Sequence, residues 1–194
     1  MEALEAIYTR RSTRKFQNKM VPKELLNEVL EAGRYAPSGG NSQSTHFLVI
    51  TKEEILKELV ELVKEEFAKM EVVEGMYPSI RNSIEKSKKG DYIFHYDAPV
   101  LIVVANKKGY GNAMADSSCA LENMMIAANA LDLGSCWINQ LHWLDENPTL
   151  RNYLEELGLK EDETITGGLS LGYSENDLPE RKPLLRTGNP VTWI

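Results

Sequence analysis

The sequence predicts one globular domain built from alternating helices and strands, and three observations support this fold class. The chain has 194 residues, of which 42% are hydrophobic and 26% charged, so it can bury a sizeable core but is short for two domains. Amphipathic segments with a helical period alternate along it with short β-branched apolar runs. No internal repeat or low-complexity segment interrupts this order. We therefore expect a single domain over residues 1–194.

Three segments have the pattern of helices. VPKELLNEVLEAG (21–33) has apolar residues on one face, a proline at its first turn and Gly33 as its stop. KEEILKELVELVKEEFAKM (52–70) is amphipathic throughout. AMADSSCALENMMIAANALDLG (113–134) has apolar residues at intervals of three and four, and Gly134 is able to end it in a left-handed conformation. Because this last helix is rich in Ala and Met, we expect it either in the core or as the spine of a dimer interface.

The remaining regular segments follow in order. HFLVIT (46–51) and APVLIVVAN (98–106) are β-branched runs, and the second is apolar throughout, as expected of a strand covered on both faces. SCWIN (135–139) resembles a strand, NPTLRNYLEELG (147–158) a helix, and TITGGLSLGY (164–173) a strand punctuated by glycines. The chain thus alternates between the two kinds of element.

The last segment, residues 174–194, differs from the rest. It carries three prolines and ends in VTWI, which indicates an extended arm. The apolar side chains of Trp193 and Ile194 need cover, either from a second subunit or from the same chain.

Composition excludes several classes of function. There are 22 Lys and Arg against 29 Asp and Glu, with a formal net charge of -7, so general electrostatic binding to nucleic acid or to an anionic membrane is not expected. The N-terminal segment has no apolar stretch of signal-peptide length, and we expect a cytoplasmic protein. Cys119 and Cys136 have neither CxxC spacing nor histidines with zinc spacing, so we expect free, buried thiols and no metal site. Phosphate-loop, GxGxxG, HExxH and nucleophile motifs are missing, which leaves little support for a nucleophilic hydrolase.

A basic cluster stands near the start of this acidic chain. YTRRSTRKF (8–16) places Arg10, Arg11 and Arg14 around Ser12. Such a cluster in a protein of net negative charge indicates a small local anion. The alternative is that these cations only offset the negative end of a preceding helix.

A second segment, APSGGNSQSTHFLVI (36–50), is a loop of small polar groups that leads into a strand. One interpretation is an ordinary turn. The other is a ligand site, because glycines let a ligand approach the backbone and amide side chains offer donors and acceptors to a planar heterocycle. The candidate residues are Pro37, Ser38, Gly39, Asn41 and Gln43.

The ordered set of motifs resembles the FMN-dependent nitroreductase family along nearly the whole chain. The motifs are RRSTRKF, APSGGNSQ, ALENMMIAANALDLGSCWIN and LGYSENDLPERKP. The resemblance implies an α+β, nitroreductase-like fold, with a central and mostly antiparallel sheet flanked by helices, in an intertwined homodimer with FMN at the subunit interface. It also implies an oxidoreductase that takes hydride from NADH or NADPH and reduces nitro compounds, quinones or related small acceptors by a ping-pong mechanism.

The resemblance identifies the anion of the basic cluster as the FMN phosphate. It assigns Arg10 and Ser12 to that phosphate with Arg11 close by, and Arg14 to the pyrimidine edge of the flavin. Near the other end of the chain, the pair Arg181 and Lys182 resembles a second basic contact with the phosphate.

The family's polar loop reaches the flavin from the other subunit, which assigns that role here to Pro37, Ser38, Gly39, Asn41 and Gln43. The segment Trp137, Ile138, Asn139 and Gln140 resembles the stretch that passes the flavin's reactive edge, where backbone N–H groups of Asn139 and Gln140 would face N5 and O4. Other members often carry Glu-Gly at this point, so Asn139 and Gln140 are a departure. No catalytic side chain is expected, because the flavin carries the redox chemistry.

Residues 67–97 match a variable region of the family that tends to form a lid or helical excursion near the pocket, and we expect substrate choice to depend on it. Three alternatives stay open at this point. The chain could be a flavin-binding sensor or carrier without turnover, or a plain anion-binding or structural domain. It could also be a specialised member that dehalogenates, cleaves flavin or dehydrogenates peptide-derived rings.

Overall fold

The computed structural model describes residues 1–175 and 182–194. Its helices are α1 (Ala3–Thr9), α2 (Lys23–Arg34), α3 (Glu53–Ala68), α4 (Pro78–Lys89), α5 (Ala113–Ala130), α6 (Gln140–Trp143) and α7 (Pro148–Glu156), with a short 3₁₀ turn at Gly39–Asn41. Its strands are β1 (His46–Ile50), β2 (Val100–Lys107), β3 (Gly134–Ile138) and β4 (Glu163–Gly172). Each helix and strand predicted from the sequence is confirmed, with small shifts of its ends.

The four strands form one sheet in the order β1-β2-β4-β3, with every neighbouring pair antiparallel. Phe47 of β1 lies opposite Val104, and Leu169 of β4 lies opposite Ile102 on one side and Trp137 on the other. Strand β2 is buried from its first residue to Asn106, which confirms that it is covered on both faces. The predicted α+β class with an antiparallel central sheet is therefore confirmed.

Two hydrophobic cores lie on the two faces of this sheet. One contains Leu59 and Phe67 of α3 together with Leu154 of α7. The other contains Val29 of α2 and Met124 of α5. The long helix α5 therefore contributes to the core, as one of the two sequence interpretations stated.

Two glycines have roles different from those predicted. Helix α2 continues one residue beyond Gly33, so Gly33 does not stop it; a Cβ atom there would lie 2.8 Å from Met124 Cγ. Gly134 does not end α5 either, because Asp132 adopts the left-handed conformation with a φ of 61°. Gly134 begins β3, where a Cβ atom would lie 2.6 Å from Thr13 Oγ1. Both glycines are needed because another segment packs against the backbone.

Residues 182–194 contain neither helix nor strand. Their apolar side chains are largely uncovered by the rest of the described chain, with Trp193 91% and Leu185 87% exposed. Of the two predicted sources of cover, packing on the same chain is therefore not observed in the described structure. Among residues 1–175 and 182–194, no helix is both long and apolar enough to cross a bilayer.

The two cysteines are both free thiols. Cys136 is buried in β3, as predicted, but the prediction for Cys119 is wrong, because Cys119 lies exposed on α5. Helix α5 buries one side in the core, and residue 119 lies outside the buried set of that helix.

Candidate active site

The arginine-rich segment runs along β3, the strand at one edge of the sheet. Ser12 forms an isolated parallel bridge with Ser135, and the Thr13 N–H donates to the Ser135 carbonyl at 2.8 Å. Gly134 permits this approach, because any side chain there would collide with Thr13. The basic cluster is thereby fixed beside the strand that leads into the predicted Trp137–Gln140 segment.

A cleft of about 730 Å³ opens where these two segments meet. Arg14 lines it together with Trp137, Ile138, Asn139 and Gln140. The structure therefore brings Arg14 together with the predicted segment Trp137–Gln140, more than a hundred positions away in the sequence.

Cys136 is largely buried and lines the cleft. Burial raises its pKa, while the Arg14 guanidinium, the Ser12 hydroxyl and the Arg10 guanidinium act in the opposite direction. Ser12 is bridged to Ser135, the residue before Cys136, so the basic cluster borders the cleft, although of Arg10, Ser12 and Arg14 it is Arg14 that lines it.

Arg10 has an incompletely satisfied guanidinium group. Among residues 1–175 and 182–194, its buried Nε atom has no hydrogen-bond partner, although it forms an ion pair with Glu122 Oε1 at 3.5 Å. A buried donor without an acceptor is costly, and more so for a charged group. The side chain is therefore suited to an anionic ligand with strong acceptor oxygens.

Arg11 is bound mainly to the protein itself. Its guanidinium donates to the carbonyl oxygens of Tyr8 at 3.1 Å, Arg10 at 2.7 Å and Lys182 at 2.7 Å. The last contact holds the backbone of Lys182 beside the basic cluster. Arg181, the other member of that pair, lies outside the described residues.

The polar loop is held by a buried carboxylate. Asp116 of α5 is 6% exposed and accepts hydrogen bonds from the Gly39 N–H at 3.0 Å, the Tyr110 hydroxyl at 3.0 Å and the Ser42 hydroxyl at 3.3 Å. A Cβ atom on Gly39 would lie 2.2 Å from the side chain of Asn112. The loop is therefore fixed by α5 and the turn before it.

The loop lies apart from the cleft within one chain. None of Pro37, Ser38, Gly39, Asn41 and Gln43 is among the cleft-lining residues, and Pro37, Ser38 and Gln43 border a different pocket of about 350 Å³. Asn41 and Gln43 adopt left-handed conformations with φ of 56° and 50°, and Gln43 Nε2 donates to Asn41 Oδ1 at 3.1 Å. The predicted loop residues thus lie together but do not meet Arg14 in this chain.

Aromatic side chains that the sequence analysis did not single out line the cleft as well. Tyr77 and Trp143 pack edge to face with ring centroids 6.1 Å apart, and Tyr92 and Tyr96 lie on the same cleft. Tyr96 adopts a left-handed conformation with a φ of 60°. The 67–97 region has no recognisable motif. Its aromatic residues are the one feature of its sequence that could have indicated a site for flat ligands.

The side chains of Asn139 and Gln140 are turned toward the protein. Trp137 Nε1 donates to Asn139 Oδ1 at 2.7 Å, and Gln140 Nε2 donates to the Tyr92 hydroxyl at 2.8 Å. Gln140 is the first residue of α6, so its backbone N–H has no acceptor within the helix. With both side chains bonded in this way, each of the two residues can offer a ligand its backbone N–H.

His142 follows this segment but does not line the cleft. Its Nδ1 atom lies 2.6 Å from the Ile165 carbonyl oxygen, so that nitrogen carries the hydrogen in the bonded tautomer. This hydrogen bond holds the imidazole against β4.

Comparison with known proteins gives a consistent result. The model of the Nitroreductase family matches residues 7–173. A crystal structure of a nitroreductase with bound FMN from Bacteroides fragilis superposes with a TM-score of 0.86 at 36% identity, covering 100% of both chains. The nitrobenzene nitroreductase of Ectopseudomonas oleovorans is 28% identical over 92% of this chain and 89% of its own length. A protein of Archaeoglobus fulgidus with the provisional name NADH dehydrogenase/NAD(P)H nitroreductase is 29% identical over 91% of this chain and 87% of its own length.

The family match spans both the basic cluster and the glycine-rich strand β4, and the fold agrees over the full length with an FMN-bound structure. The chain belongs to the nitroreductase family.

Proposed function

We propose that this protein is an FMN-dependent oxidoreductase that takes hydride from NADH or NADPH and reduces nitro compounds, quinones or related small acceptors. The observation that carries the proposal is the cleft in which Arg14 meets the Trp137–Gln140 segment, beside the buried Arg10 Nε–H, which donates no hydrogen bond to the described part of the chain. The FMN bound to the relative from Bacteroides fragilis and the activities named for the other relatives support it.

The basic cluster fits the terminal phosphate of FMN. The Nε–H of Arg10 and the Ser12 hydroxyl would donate to phosphate oxygens, with the Lys182 backbone held nearby by Arg11. Arg181 keeps the same proposed role. Arg11 contributes chiefly by fixing the backbone carbonyls around it.

The cleft fits the flavin ring. Arg14 would lie at the pyrimidine edge, where a guanidinium stabilises negative charge on N1 and O2. The main-chain N–H groups of Asn139 and Gln140 would face N5 and O4. When bound, FMN would take up two electrons from the nicotinamide and deliver them to the acceptor, so that no side-chain nucleophile is required.

The aromatic wall of Tyr77, Trp143, Tyr92 and Tyr96 would hold the nicotinamide and the acceptor. Because both reactants would use the same cleft, they would enter in turn, which is the basis for a double-displacement mechanism. Residues 67–97 supply most of this wall, so we assign substrate choice to them.

We further propose a homodimer whose FMN sites lie at the subunit interface. The polar loop is fixed away from its own cleft, and residues 182–194 expose Trp193, Leu185 and other apolar side chains. A second subunit would cover these side chains, and each loop would reach the flavin of its partner.

Flavin content tests the proposal directly. The purified protein is expected to be yellow with about one FMN per subunit. FAD should bind poorly to apoprotein, because arginines closing around a terminal phosphate leave little room for an adenylate. Protein that stays colourless after incubation with FMN would refute the proposal, whereas FMN binding without NAD(P)H oxidation in the presence of a quinone would favour the sensor or carrier.

A further inference from the structure

A chain of three buried side chains connects the cleft wall to helix α4. Gln140 Nε2 donates to the Tyr92 hydroxyl at 2.8 Å, the Tyr92 and Ser83 hydroxyls lie 2.7 Å apart, and the Ser83 hydroxyl donates to the Ser79 carbonyl at 3.0 Å. Exposure is 8% for Gln140, 7% for Tyr92 and 0% for Ser83. This chain thus joins the segment after β3 to a helix that is remote in sequence.

The direction of these hydrogen bonds is determined, because each hydroxyl has a single hydrogen. Ser83 gives its hydrogen to the Ser79 carbonyl, so the Ser83 oxygen must accept from Tyr92. Tyr92 therefore accepts from Gln140, and the Gln140 amide must point its NH₂ group at Tyr92. In this orientation Gln140 Oε1 is buried and accepts no hydrogen bond from residues 1–175 or 182–194.

Tyr92 is the link that keeps this amide in place. Without its hydroxyl, both the nitrogen and the oxygen of the Gln140 amide would be buried and unpaired, which is unfavourable for polar groups. The side chain would then leave its position for the cleft, where water can reach it, and would occupy space at the proposed flavin edge.

We propose that Tyr92 is a positioning residue that acts through Gln140 and keeps the cleft wall beside residues 139–140 open for the cofactor and the acceptor. This inference rests on the proposed function of the cleft. Tyr92 does not act as a proton donor to the ligand, because its hydrogen is committed to Ser83. Burial, the largest influence, raises the pKa of Tyr92, which keeps the hydroxyl protonated.

A double-mutant cycle tests the proposal. Tyr92→Phe is expected to raise the dissociation constant for FMN about fivefold or more, measured by titrating apoprotein. In a Gln140→Met background no amide remains to be displaced, so Tyr92→Phe should add less than about twofold to the effect of Gln140→Met. A tyrosine that acts only as packing would give effects that multiply, and that result would overturn the proposal.

Two further variants test whether the effect runs through the Tyr92–Gln140 hydrogen bond and whether it is specific. Ser83→Ala leaves that bond in place and frees the Tyr92 hydrogen, which can be donated to Gln140 Oε1 after the amide turns over, so FMN affinity should stay within about twofold of the wild type. If Ser83→Ala weakens FMN as much as Tyr92→Phe, the effect does not depend on the bond between Tyr92 and Gln140, and the proposal is overturned. Tyr153→Phe removes a hydroxyl bonded to Glu58 outside the cleft and should leave the FMN affinity unchanged.

The outcomes also separate this inference from the proposed function. Wild-type protein that fails to bind FMN would refute the function of the cleft. Tight FMN binding by the wild type, together with unchanged binding by Tyr92→Phe, would refute only the role of Tyr92. The midpoint potential of bound FMN in each variant gives a readout independent of turnover, and it should differ from the wild type in Tyr92→Phe but not in Ser83→Ala.

Discussion

Replacing Arg10 with Glu should weaken FMN binding more than tenfold. The wild-type side chain offers a buried Nε–H that donates no hydrogen bond to any described residue, and a hydrogen bond from a charged donor to phosphate contributes about 1.5–3 kcal/mol. Glutamate removes this donor and adds a negative charge. At an effective dielectric constant of 20, two unit charges 4 Å apart interact by about 4 kcal/mol, and solvent screening reduces this because Arg10 is partly exposed. A total loss of at least about 2–3 kcal/mol corresponds to about 30- to 150-fold in affinity.

Titration of apoprotein with FMN measures this loss. Arg10→Gln removes the cation without adding repulsion and should give an intermediate affinity. Arg81→Glu makes the same change in net charge at an exposed position of α4 that does not line the cleft, so it should bind FMN like the wild type. Circular dichroism of the apoproteins checks that each variant folds, because Arg10→Glu also places a carboxylate near Glu122. If Arg10→Glu keeps FMN through dialysis, Arg10 is only a cation at the end of α1 and the phosphate assignment is wrong.

The remaining predictions concern the shared site and the kinetics. Asn41→Ala should reduce FMN binding. Asn41→Gly is its control: glycine lacks the amide but tolerates the left-handed backbone at this position, so any further loss in Asn41→Ala reports backbone strain. Mixed dimers of Asn41→Ala and Arg10→Glu should recover part of the flavin binding, since one of their two sites would lack both defects; no recovery would count against a shared site. His142→Ala should retain most of the rate of flavin reduction by NAD(P)H, because the imidazole is bonded to Ile165 outside the cleft; a loss of about a hundredfold with FMN still bound would identify a missed catalytic residue. Double-reciprocal plots with NAD(P)H and a quinone should be parallel, and intersecting lines would indicate a separate acceptor pocket.

Secondary structure could be predicted from the sequence wherever the spacing of hydrophobic residues alone determines whether a segment is a helix or a strand. Helix α3 and strand β2 were predicted in this way, because their burial follows directly from spacing and β-branching. The roles of Gly33 and Gly134 could not be predicted, since they depend on Met124 and Thr13, which only the tertiary structure brings close. Sequence can identify a glycine as exceptional without revealing whether a turn or a packed neighbour requires it.

The candidate site shows the same distinction. Arg14 and Gln140 could be named in advance because they occur in motifs that resemble a family, and the structure places them in one cleft. Tyr77 and Trp143 belong to no motif, and their meeting at 6.1 Å depends on how α4 packs beside α6. The hydrogen-bond chain from Gln140 to Ser83 could not be predicted either, because it joins residues far apart in sequence through single hydroxyl groups.

The strand order of the sheet has a consequence for how the protein folds. The central pair of strands is β2 and β4, and even its closest pair in sequence, Lys107 and Glu163, is separated by about 56 positions. Closing so long a loop costs chain entropy before any strand contact forms, which slows folding relative to a protein of local contacts. Strand β3 pairs only with β4 in this sheet, and the arginine-rich segment in turn lies against β3. The complete cleft, with Arg14 and Trp137 beside an edge strand held by β4, therefore belongs to the closed sheet, so FMN is expected to stabilise the finished domain without accelerating the steps that build it.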